Sequence, residues 1–164
     1  VEKNLNTISN ILNKLSTNYN LPVIVSTHPR TKKLLDKSEF KFEDDISFVK
    51  PLGFSDYINL QINAKVTLSD SGTISEESSI LNFPALNLRE THERHEAMEE
   101  ASVIMTGINM DNVFTSIELI ESQTRGEKRI LKIPSDYNLT NVSEKIVRII
   151  YSYIGYVNRK VWFK

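Results

Sequence analysis

Lys65-Val66-Thr67-Leu68-Ser69-Asp70-Ser71-Gly72-Thr73-Ile74-Ser75-Glu76-Glu77 is the stretch on which the fold turns. Its first five residues form a short run with β-branched members, the pattern of a strand. Asp70-Ser71-Gly72 breaks that run with turn formers, and residues 73–82 return to helical spacing. A strand that feeds a helix through a tight glycine turn is the repeating unit of a parallel α/β sheet.

The same alternation extends in both directions. Upstream, Leu5, Ile8, Ile11, Leu12 and Leu15 mark one helical stripe over residues 4–18. Pro22 to Thr27 reads as a buried strand, Lys32 to Lys37 as a polar helical segment, and Ile46 to Val49 as a second strand. Phe54, Tyr57, Ile58 and Ile62 then recur at helical intervals between Phe54 and Ala64. Downstream, Ala85 to Leu88 is a strand, Glu93 to Ala101 helical, Val103 to Met105 a fifth strand and Asp111 to Glu121 a helix. Ser122 to Arg129 is polar throughout and reads as a loop, and Asn141 to Val157 as a long terminal helix. Short strands between helices imply a Rossmann-like parallel sheet with helices on both faces. The chain opens on a helix, so the first and central strand of the sheet is expected upstream of Val1.

Composition narrows the chemistry. The 164 residues include no cysteine, which excludes disulfides, thiolate zinc sites and thiol nucleophiles. Twenty Lys and Arg against 21 Asp and Glu give a formal charge of −1, so no basic field points to nucleic acid. No apolar run approaches the ~20 residues that span a bilayer, and the N-terminal residues lack a signal peptide's apolar stretch. One domain in the cytoplasm, with no membrane contact, is the expectation.

In parallel sheets ligands bind beyond the carboxyl ends of strands, where Ser69 to Thr73 fall. Gly72 lets backbone approach a ligand without a Cβ in the way. The following helix offers free N–H groups and its positive dipole end to a phosphate, and Ser71 adds a hydroxyl. Alternatively, Asp70 or Ser71 merely caps the helix. Glu76 and Glu77 either favour the helix dipole or accept hydrogen bonds from sugar hydroxyls. They point about 100° apart, so one shared role is not expected: Glu76 suits the dipole and Glu77 the sugar hydroxyls, and spacing alone does not decide between the two readings. Arg89 to Glu100 is the densest charged cluster, with Arg89 and Arg94 as planar anion-binding forks and His92 and His95 beside them. A solvated helix start with internal ion pairs explains the same residues. The two histidines lack further ligands for a metal. His28 follows the first strand at the same rim, as a cleft residue or a merely exposed one.

Three runs together carry a family resemblance: Leu68-Ser69-Asp70-Ser71-Gly72-Thr73-Ile74-Ser75-Glu76-Glu77, Phe83-Pro84-Ala85-Leu86-Asn87-Leu88-Arg89 and Glu93-Arg94-His95-Glu96-Ala97. They resemble the non-hydrolysing UDP-N-acetylglucosamine 2-epimerases, which show a Ser/Thr-Asp-Ser-Gly-Gly-x-x-Glu-Glu run and an Arg-x-x-x-Glu-Arg-Pro-Glu run at this separation. Thr73 in place of the second glycine, together with His92, is most similar to the branch making UDP-N-acetyl-L-fucosamine for capsule and O-antigen. His95 stands where the family usually has proline, which loosens the helix entry.

The resemblance implies the second, UDP-binding half of a two-domain enzyme of the glycosyltransferase-B build. The acid/base carboxylates would then lie in an N-terminal domain outside this chain, and the full enzyme would be a homodimer. Ser71 and Gly72 resemble the diphosphate contacts, Glu77 the ribose carboxylate, Tyr57 the aromatic beside uracil and Arg94 an arginine near the nucleotide. His28 matches a cleft histidine and is the one catalytic candidate within the chain. No metal or nicotinamide cofactor is implied. The family eliminates UDP to a glycal and adds it back with C2 inverted, here on a UDP-2-acetamido-2,6-dideoxy-L-talose. Rival readings are a nucleotide-sugar glycosyltransferase domain, a hydrolysing 2-epimerase and a non-catalytic nucleotide-binding module.

Overall fold

The computed structural model describes residues 2–35, 38 and 40–164. Val1 and residues 36–37, the end of the expected polar helical segment, lie outside them. Element order is α1 (Glu2–Tyr19), β1 (Val23–Ser26), α2 (Pro29–Leu35), β2 (Ile46–Val49), α3 (Phe54–Asn63), β3 (Thr67–Ser69), α4 (Ile74–Leu81), β4 (Ala85–Asn87), β5 (Ile104–Met105), α5 (Met110–Ile120) and α6 (Val142–Lys160). Single 3-10 turns cover His95–Glu99 and Ser135–Tyr137. Every strand pairing is parallel, which the α/β alternation demanded.

The strands form two groups. β1 pairs with β2 from Val23↔Ile46 to Ser26↔Val49, while β3, β4 and β5 form the second sheet in that order. No ladder joins β1 to β3 among the described residues. α1 nevertheless bridges the two sheets: Ile11 and Leu15 bury against Leu86 of β4 and Val113 and Ile117 of α5, with Val23, Val66 and Leu68 at the margin. Tyr19 and Phe114 continue that contact as rings 6.3 Å apart and nearly parallel.

The opposite face of β3–β5 is covered by α4. Ile74 packs there with Phe83, Ala85 and Val103. Ser75, Ser78 and Ser79 complete the buried side of α4, and their small size lets the helix lie close to the sheet. Ser78 Oγ donates to the carbonyls of Phe83 and Ser102, and Ser79 Oγ to Ser102 Oγ, so these buried hydroxyls are satisfied. All three β4 residues are buried because the strand is central and covered on both faces.

Some expectations change. β1 alternates between partly buried and exposed, with Ile24 48% exposed, because α1 packs on one face only. Glu93 to Ala101 is not a regular helix but the short 3-10 turn. Glu99 and Glu100 oppose a helix dipole at its C-terminal end, and Ala101 stops the segment in left-handed backbone at φ 50°. The polar stretch 122–129 is a loop as expected, but a clamped one. Arg125 donates to the carbonyls of Ala64 and Lys65, and Arg129 to those of Ser79 and Ile80. Asn82 terminates α4 at φ 54°, and its amide donates to the carbonyls of Gly126 and Lys128. α6 runs past Val157 to Lys160 with no buried residue, and Ile146, Ile150, Tyr153 and Ile154 are all at least half exposed.

Leu86 is the hinge of the larger core, fully buried between α1 and α5. Leu86→Ala should destabilise the domain by about 2–5 kcal/mol, read as a shift in its urea midpoint. The same change at Leu119, 69% exposed, should stay within about 0.5 kcal/mol.

Candidate functional site

Parallel pairing sends the carboxyl ends of β3 and β4 to one edge, where the loops that follow them meet. Leu88 N–H donates to Ser69 carbonyl at 2.9 Å and ties the two loops together. The turn between β3 and α4 is ordered by its own hydroxyls: Ser71 N–H donates to Ser69 Oγ, and Thr73 N–H donates to Ser71 Oγ at 3.3 Å. Ser71 and Thr73 hydroxyl oxygens lie 2.9 Å apart. Thr73 is the first flanking residue of α4 and makes no side-chain cap. The helix therefore begins with its dipole unanswered by a side chain of that residue, beside an exposed serine and a glycine.

Gly72 is close to a carboxylate. A Cβ built on it would lie 2.6 Å from Glu93 Oε2, and Glu93 Oε1 is paired with Arg89 Nη2 at 2.6 Å. A carboxylate thus sits over the turn where an anion is expected. The three nearest atoms to that position all belong to the Glu93 side chain, so the tightest restriction above the turn is a side chain and not backbone.

The second half of the site is built by α3 and α4. Glu77 Oε2 accepts a hydrogen bond from Gln61 Nε2 at 2.6 Å, and Gln61 is 3% exposed. Tyr57 stands one turn before Gln61 on α3. Burial raises the pKa of its phenol, and the Glu77 and Asp70 carboxylates raise it further, against a hydrogen bond with Gln61 that pulls the other way. Tyr57 is therefore neutral at any physiological pH. The structure brings Tyr57, Gln61 and Glu77 into one group, and Ser71, Gly72, Arg89 and Glu93 into an adjoining one.

Glu76 and Arg94 face each other at 2.7 Å through Oε1 and Nε. That hydrogen bond and the charge of Glu76 raise the guanidinium's pKa. The two adjacent glutamates have different partners: Glu76 is bound to Arg94, and Glu77 to Gln61. Tyr137 Oη donates to Glu96 Oε1 at 2.9 Å. A backbone hydrogen bond and then Tyr137 hold the Glu96 carboxyl below its ordinary value. Burial and this carboxylate push the Tyr137 phenol well up.

The histidines fall in different settings. His28 is exposed at the carboxyl end of β1, in the two-stranded sheet. His95 is exposed at the first residue of the 3-10 turn, and both ring nitrogens of His92 are shut from solvent without a protein hydrogen-bond partner. Among the described residues no group of three or more His, Cys, Asp or Glu is arranged to hold a metal ion. Nor is any helix long and apolar enough to cross a membrane.

Sequence reading missed Gln61, although its spacing of four from Tyr57 puts both on one helix face. It also missed Glu93 over Gly72 and Tyr137 on Glu96, contacts between residues far apart in sequence that no local pattern marks.

Comparison with known proteins gives the family. A family model described as UDP-N-acetylglucosamine 2-epimerase matches residues 1–151. The chain is 48% identical to a UDP-N-acetylglucosamine 2-epimerase structure from Rickettsia bellii, covering 99% of this chain and 44% of that one with a TM-score of 0.89. It is 30% identical to the Methanocaldococcus jannaschii UDP-GlcNAc 2-epimerase in complex with UDP-GlcNAc and UDP, covering 93% of this chain and 41% of that one, TM-score 0.80. Over 136 residues it is 32% identical to the M. jannaschii UDP-N-acetylglucosamine 2-epimerase sequence, 80% of this chain and 36% of that one. The chain thus spans less than half the length of these relatives. With its parallel sheets, flanking helices and this match over nearly its whole length, the chain belongs to the UDP-N-acetylglucosamine 2-epimerase family.

Proposed function

We propose that this chain is the UDP-binding, C-terminal half of a UDP-N-acetylhexosamine 2-epimerase. The observation that carries the reading is the convergence of three features at one sheet edge: the Ser71-Gly72 turn, the start of α4 and the Glu77 carboxylate held by Gln61. Diphosphate oxygens accept hydrogen bonds from N–H groups at the turn and helix start. The carboxylate accepts them from the vicinal ribose hydroxyls, and Tyr57 offers a ring face to uracil. Arg94, already tied to Glu76, lines the nucleotide from the loop after β4.

The reaction follows from what such a site must retain. A base outside this chain takes the C2 proton, the C1–O bond breaks, and its electron pair leaves with UDP, giving a glycal. UDP then adds back to C1 while a proton arrives at the opposite face of C2. Tight diphosphate and ribose contacts keep UDP in place between the two steps. The proposed substrate is UDP-2-acetamido-2,6-dideoxy-L-talose, converted to UDP-N-acetyl-L-fucosamine for capsule or O-antigen in the cytoplasm. The full enzyme would be a homodimer, its acid/base carboxylates in an N-terminal domain and His28 at the cleft. A strand preceding α1 would fit between β1 and β3, and the exposed apolar side of α6, with Trp162 and Phe163, would pack on the N-terminal domain. A glycosyltransferase domain is the second reading, since the same convergence binds a sugar-nucleotide donor. Incubating the full-length enzyme with the UDP-sugar in deuterated water decides between them: deuterium at C2 of the recovered sugar is expected, and transfer to an acceptor without it refutes the epimerase.

Gly72→Val tests the diphosphate seat. Because the atom nearest to a Cβ there is the carboxylate end of the Glu93 side chain, stability should change by less than about 1 kcal/mol while UDP binding by calorimetry is lost. Unchanged UDP affinity would place the seat elsewhere. Glu77→Gln should weaken UDP by about 5- to 30-fold, equivalent to ~1–2 kcal/mol. Inorganic diphosphate, which has no ribose, should lose far less. Equal losses would reduce Glu77 to an effect on helix electrostatics.

A further inference from the structure

We infer that Gln61 is the positioning residue of the nucleoside end, fixing the Glu77 carboxylate for the ribose and joining it to Tyr57. The inference rests on the UDP reading above and adds to it a residue that does not belong to the signature runs. Three observations support it. Gln61 Nε2 donates to Glu77 Oε2 at 2.6 Å, short for a neutral donor and typical of one bonded to a charged acceptor. The side chain is buried on α3, at 3% exposure. Its carbonyl, Gln61 Oε1, is buried and has no protein donor.

The orientation of the amide follows from chemistry. Turned over, it would press a carbonyl lone pair against an ionised carboxylate, so Nε2 must face Glu77. That bond uses one lone pair of Oε2 and fixes the carboxylate plane. Oε1 and the remaining lone pair of Oε2 stay available for two adjacent hydroxyls. An apolar side chain of the same volume would pack in this place without an orphaned carbonyl, and a buried unpaired acceptor opposes folding. A glutamine here is therefore explained by what it does to Glu77 and not by packing. The spacing of four residues brings Tyr57 to the same side of α3, so the residue that holds the group facing the sugar lies on the helix face of the group facing the base.

The test uses the full-length enzyme, with UDP and inorganic diphosphate as separate probes in calorimetry. Gln61→Met keeps volume and removes the donor. UDP affinity should fall about 5- to 20-fold, and diphosphate affinity should stay within twofold, which also reports that the variant is folded. Gln61→Glu places a second carboxyl against Glu77, with Tyr57 and Asp70 as the other ionisable neighbours. The pair then shares a proton, so UDP binding should weaken steeply at pH 8 and recover toward pH 5, a dependence absent from the wild type. Equal loss of both probes, or UDP affinity within twofold in both variants with no new pH dependence, overturns the inference. If Glu77→Gln weakens UDP while the Gln61 variants do not, the inference alone fails. If the wild type does not bind UDP at all, the functional reading fails with it.

Discussion

The parallel register of β3 on β4 is the constraint from which the site follows. Thr67 lies beside Ala85 and Ser69 beside Asn87, so both strands end level and their loops emerge side by side. An antiparallel pairing would send the 70–73 turn and the 88–94 loop to opposite edges, and neither Glu93 over Gly72 nor Arg94 on Glu76 could form. α4 is set by the same register: Ser75, Ser78 and Ser79 bring it down on β4 and β5. Its first turn then projects at the edge where the two loops meet.

Within that edge, charge is arranged in compensated pairs. Glu76 is matched by Arg94 and Glu93 by Arg89, while Glu77, among the described residues, is held by the neutral amide of Gln61. The difference separates Glu77 from its neighbours. A carboxylate answered by a full cation has little left to offer a ligand, whereas one held by an amide keeps its charge and its free lone pairs. Glu93 occupies the ground over Gly72 that a phosphate would need, on a side chain long enough to withdraw.

Much of this was legible in the sequence, and the legible part was local. The strand–turn–helix at 65–77, the helical stripe at 4–18 and the glutamate pair could be read because their periodicities and turn residues are set within a few positions. The family resemblance rested on the same short runs, and it supplied Tyr57 and Arg94 as candidates. What could not be read depends on tertiary neighbours. The 95–99 segment carries helix-forming residues but is cut short by its acidic end and by Ala101 in left-handed backbone. The 122–129 loop looks free by composition, yet Arg125 and Arg129 pin it to helix-end carbonyls from residues 62–80. Gln61 looked like an ordinary polar helix residue until α4 was placed against it.

The central claim is that the β3–α4 turn and Glu77 form one nucleotide seat. A crystal structure of the protein with UDP tests it most directly. The account predicts the diphosphate over Gly72, the ribose hydroxyls on Glu77 with Gln61 Nε2 still bonded to it, and Glu93 moved off the turn. UDP bound at another edge of the sheet, or bound while Glu93 remains seated against Gly72, would contradict it.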